Sequence, residues 1–76
     1  MKAKLVWSFS GEGALKTAEH HLMHLKDYSK TERVEVIEFG TEQQTKFTAI
    51  AFMIVSKDLV NDLRKSLKPH KGFLVE

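Results

Sequence analysis

The chain has no cysteine and a single proline, Pro69. Without cysteine, a disulfide framework and any thiolate metal site are excluded, and the chain is compatible with a reducing cytoplasm. Long apolar runs are also missing. None approaches the roughly 18 residues of a membrane span. The stretch behind Met1-Lys2-Ala3-Lys4 is broken too soon by Ser8, Ser10 and Gly11 to act as a signal peptide. Acidic and basic residues nearly balance. A net charge of +2 neither demands nor excludes a polyanionic partner. With no repeat or linker, 76 residues suffice for one domain, 1–76, and not for two. Such a domain buries only about 60% of its unfolded surface, so a partner subunit is the natural supplement.

What is present is a clean alternation of patterns. Phe47–Val55 (FTAIAFMIV) has no helical period and is rich in strand-favouring residues. Both of its faces are apolar: Phe47, Ala49, Ala51, Met53 and Val55 on one, Ile50, Phe52 and Ile54 on the other. That predicts the most buried, central strand. Lys4–Phe9 alternates and predicts a first strand. Ser10 follows as a candidate N-cap, with Glu12 in the first helical turn. Ala14–Tyr28 has helical spacing, with Ala14, Leu15, Ala18, Leu22 and Leu25 on one stripe and His21 and Tyr28 at its edge. Arg33–Phe39 predicts an edge strand, and Gly40–Thr45 a polar hairpin connection.

Ser56 is a candidate cap for a second helix carrying Leu59, Val60, Leu63 and Leu67. Arg64, Lys65 and Lys68 stand near its C-terminus, where cations suit the dipole. Pro69 stops it, Lys71-Gly72 turns the chain, and Phe73–Val75 predicts a short last strand. The order βαββαβ resembles the ferredoxin-like arrangement: an α+β fold with a four-stranded antiparallel sheet, order 4-1-3-2, and two helices on one face. That resemblance is to a fold and names no activity.

Two helices cover one sheet face, yet the third strand is apolar on both. Phe47, Ile50, Phe52 and Ile54 are therefore interface candidates, and self-association or a protein partner is expected. A non-enzymatic binding or regulatory module acting as a homodimer is the leading reading. The topology also predicts a pole where the Ser10–Gly13 turn meets the end of the second helix. There Gly11, Gly13, Arg64, Lys65, Lys68 and Lys71 are candidates for holding an anion. RNA-recognition domains share the element order. TKFTAIAF supplies Phe47, Ile50 and Phe52 but has Ala49 where the middle aromatic of their motif stands, and lacks its glycine. A nucleic-acid binder using Lys46 and the basic pole is the alternative.

Three of the four histidines fall in AEHHLMHL. His20 and His24 are one turn apart, a spacing that can share a transition metal; a closed zinc site needs four ligands. HExxH is not matched, and no other cofactor is called for. Catalysis finds no constellation: there is no thiol, and Ser8 and Ser10 have no paired base nearby in sequence. The basic cradle and asparagine of the small phosphatases built on this fold are not recognisable in WSFSGEG.

Overall fold

A computed structural model describes residues 1–75. In chain order it contains β1 (Lys2–Ser10), α1 (Ala14–Thr31), β2 (Val36–Thr45), β3 (Thr48–Ser56), a 3-10 turn (Lys57–Leu59), α2 (Val60–Leu67) and β4 (Lys71–Val75). The strands form one antiparallel sheet in the order β2-β3-β1-β4, which is 4-1-3-2 read from the β4 edge. The protein is thus α+β, with a four-stranded antiparallel sheet and two helices. Among the described residues no helix is long and apolar enough to cross a membrane.

Strand alternation decides which side is buried. Ala3, Leu5, Trp7 and Phe9 of β1 stand opposite Val55, Met53, Ala51 and Ala49 of β3. Leu25 of α1 and Leu63 of α2 join Leu5, Trp7, Met53 and Val55 in one core, so both helices lie on that face. At its N-terminal end α1 meets the sheet through alanines: Ala14 and Ala18 pack on Ala49 and Ala51. Small residues on both sides let helix and sheet approach closely there. Farther along, Leu22, Leu25 and Tyr28 fill a deeper space. Trp7 is buried, and its indole N–H donates to the Leu67 carbonyl at 3.0 Å. That bond satisfies a carbonyl left over at the end of α2 and ties the helix to β1.

Several sequence-based boundaries move. Ser10 does not cap α1; it continues β1, paired with Thr48. The cap is Gly13, whose φ of 77° is left-handed, and no acidic residue lies in the first turn. The chain leaves β1 through Gly11 (φ 106°) and Gly13, positions that suit glycine. The end of α1 does not move: the helix stops at Thr31, in the Ser29–Thr31 stretch where the apolar periodicity runs out, with the buried Ser29 hydroxyl donating to the Leu25 carbonyl at 2.7 Å.

The largest shift is in β2, which starts at Val36, while Arg33 turns the chain at φ 56°. Gly40–Thr45 is not a connection but strand, and the hairpin turn is only Lys46-Phe47. The Thr45 and Thr48 hydroxyls meet at 2.7 Å, and Thr45 Oγ1 accepts the Phe47 N–H at 3.2 Å. An edge strand is held by backbone pairing, which a polar run such as GTEQQT satisfies as well as an apolar one. Lys71-Gly72 likewise belongs to β4 rather than to a turn.

Candidate functional site: the open face of the sheet

The face away from the helices is built by the other set of alternating residues. Register aligns them in rows across the sheet. Glu38, Ile54, Lys4 and Phe73 form one row, and Gly40, Phe52, Val6 and Lys71 the next. Glu42, Ile50 and Ser8 form a third. An irregularity between Val36 and Glu38 makes Ile37 the extra residue, so Val36 pairs with Val55 and Glu38 with Ile54.

Charge is sorted across this face. Glu38 and Glu42 stand on the β2 edge, Ile50, Phe52 and Ile54 along β3, and Lys2, Lys4 and Lys71 on β1 and β4. The apolar residues are less open than two bare layers suggest. Val6 and Ile50 are buried, and Phe52 and Ile54 are partly so. Phe52 owes this to its neighbours. Its ring lies over Gly40, where any side chain would run into it, and Lys4 Nζ sits 4.4 Å from the ring centroid. Phe73, at the β4 edge, is 51% exposed.

Of the interface candidates, Ile50, Phe52 and Ile54 share this face. Phe47 does not: it lies in the hairpin turn, 51% exposed. Lys4, Glu38, Gly40 and Glu42 complete the face and were not singled out from the sequence. The signal for Lys4 was its place among Leu5, Trp7 and Phe9. Glu42 carries no such signal, because GTEQQT lacks the apolar alternation of a strand.

The anion candidates separate into two places. Gly11 donates its N–H to the Phe47 carbonyl at 2.7 Å, which fastens the glycine turn to the hairpin. The end of α2 is fixed lower down. His70 N–H donates to the Val6 carbonyl at 2.9 Å, and Ser8 N–H donates to His70 Nδ1 at 2.8 Å. Eight residues give α2 a length of only ~12 Å, so it stops about three strand residues short of the glycine turn. Arg64 and Lys65 flank a shallow hollow with Asn61, away from Gly11 and Gly13. Lys68 is the left-handed C-cap of α2, and Lys71 lies in β4. Lys46, in the β2–β3 turn, is separated from β4 by the width of the sheet. The cations of the nucleic-acid alternative therefore do not form one stripe, and the Phe52 ring is already covered by Lys4.

His20 and His24 are both exposed, with Nε2 atoms 3.1 Å apart and rings edge to face. Among the described residues no group of three or more metal-ligating side chains converges. His21 points the other way. Its ring lies 5.2 Å from Trp7 and 5.4 Å from Phe9, and its Nε2 is buried without a partner. Burial, then the neighbouring charges of His24 and His70, hold its pKa below the ordinary imidazole value.

No protein family, curated protein or solved structure matches the chain.

Proposed function

We propose that the chain is a non-enzymatic binding or regulatory module of ferredoxin-like fold that works as a homodimer, two copies meeting through the open face. The observation that carries this is the ordering of charge across the face. Acidic residues edge β2, basic residues edge β1 and β4, and apolar ones lie between.

Such a pattern is complementary to its own copy in one orientation. A two-fold axis perpendicular to the strands lays β2 on β2 and sets carboxylates against carboxylates. An axis along the strands lays β2 on the partner's β4 and β3 on the partner's β1. Row position is kept in that second arrangement. The partner's Lys71 then arrives in the row of Gly40, between Glu38 and Glu42. There it meets the Phe52 ring, which lies over Gly40.

The size of the face sets the scale of the contact. Four strands about 4.8 Å apart and about 25 Å long offer ~500 Å² per copy, or ~1,000 Å² in total, the lower end for a specific interface. Sedimentation from about 1 to 100 μM spans the affinities usual for a contact at this lower end. Sedimentation equilibrium across that range tests the reading. Lys71→Glu alone is expected to weaken the dimer about tenfold, as is the pair Glu38→Lys with Glu42→Lys. All three together should restore it. A monomer at every concentration, or charge reversals whose effects simply add, would remove the proposal.

A further inference from the structure

The other side of the molecule contains a cleft that the dimer reading leaves unused. Helix α2 ends at Leu67, and Lys68 and Pro69 return the chain at once to β4. Only Gly72 and Leu74 of β4 face the helix layer, opposite Leu5 and Ala3. Leu74 is 60% exposed although its partner Ala3 is buried. Gly72 offers no side chain to fill the space. A Cβ there would meet nothing closer than Leu5 Cδ2, at 3.6 Å. The result is a groove of about 400 Å³ between α2 and β4. That volume falls within the roughly 300–1,000 Å³ of small-molecule sites.

Its lining is chemically one-sided. Ala3, Val60, Gly72 and Leu74 supply apolar walls, with Leu5 beneath. Lys57, Arg64 and His70 supply the polar groups, and no lining residue is acidic. His70 Nδ1 accepts the Ser8 N–H, which leaves the ring proton of the neutral imidazole on Nε2 as a donor. Lys71 and Phe73 border the groove with their backbone, because strand alternation assigns their side chains to the open face.

We propose that this groove binds a small amphipathic anion, its apolar body against Val60, Leu74 and the gap at Gly72, its carboxylate or phosphate head at Arg64. The apolar part covers surface that α2 leaves bare. The head meets the Arg64 guanidinium, and among the described residues no acidic side chain lines the groove. This site is independent of the sheet-face interface, since it lies on the helix side of β4.

The test is a titration of the ¹⁵N-labelled full chain with octanoate, octyl phosphate and octanol, followed by amide shifts. Both anions are expected to move the amides of Val60, Arg64, Gly72 and Leu74, and the tighter of the two names the headgroup. Octanol, without the charge, should bind about tenfold more weakly. Gly72→Val, whose added atoms enter the groove, should abolish the shifts and leave sedimentation unchanged. Arg64→Gln should weaken octanoate by about tenfold and leave octanol unaffected. Arg64 is exposed, so this variant keeps its fold even if Gly72→Val does not. Shifts confined to the open face, equal affinity for octanol and octanoate, or octanoate binding insensitive to Arg64→Gln would each overturn the proposal.

Discussion

His21 is the residue whose chemistry is least at ease. It wedges an imidazole between Trp7 and Phe9 and leaves Nε2 without a partner. A depressed pKa means that the folded chain holds the ring neutral while the unfolded chain takes up a proton near the ordinary value of 6.5. Stability from this group is therefore complete above about pH 6.5 and falls as pH drops below it, until the folded ring also titrates. His21→Phe should remove that dependence. Urea melts followed by Trp7 fluorescence are expected to show the variant gaining on the wild type between about pH 7.5 and pH 5. At neutral pH the change should be neutral or stabilising by about 1 kcal/mol, because it deletes an unpaired buried nitrogen. Parallel pH profiles would show that His21 is not the titrating group. Its position at the edge of the apolar stripe was legible from helical spacing. The missing partner was not, because it depends on how Trp7 and Phe9 of β1 pack around the ring.

At the level of elements, the periodic segments were legible and the polar one was not. Ala14, Ala18 and Leu25 repeat at helical spacing and are all buried. In β3, alternation identified both faces, and the structure assigns Ala49, Ala51, Met53 and Val55 to the helices. Gly40–Thr45 carries no periodic signal, since pairing with β3 uses backbone groups that every residue has. The ends of the helices hold a stability reserve. Arg33 (φ 56°) and Lys68 (φ 48°) occupy left-handed positions, which cost a side chain-bearing residue roughly 1–2 kcal/mol. Lys68→Gly and Arg33→Gly should each raise stability by about 0.5–1 kcal/mol after the entropic cost of glycine is counted. Denaturant midpoints that fall instead would mean that the lysine or arginine side chain makes a stabilising contact. The alanine seam is the opposite case. Ala18→Leu should cost about 1–3 kcal/mol, because Ala49 and Ala51 leave no room at that approach.

For the molecule as a whole, the question raised by the sequence was what lies against the second apolar face of β3. The structure reduces its size: Val6 and Ile50 are already buried, and the exposed remainder is bordered by charge of opposite sign on opposite edges. The apolar row was legible because Ile50, Phe52 and Ile54 alternate with the core residues. Its acidic border was not, because Glu42 belongs to the strand that looked like a loop. A dimer held by these borders should loosen with salt. Raising NaCl from about 0.05 M to 0.5 M shortens the screening length to about 4 Å and should shift sedimentation toward monomer. Association that is unchanged or strengthened by salt would point to an apolar contact elsewhere, with Leu74 and Phe47 the next exposed groups to examine.

The ring of Phe52, lying over Gly40 beneath Lys4, has a bearing on solubility. A phenyl ring on a sheet face that no helix covers is an adhesive group. Parked against bare backbone under a hydrated ammonium group, the phenyl is kept from indiscriminate contact. Gly40→Val evicts it. Cloudiness on concentration, rather than lost folding, is the expected mark of that variant.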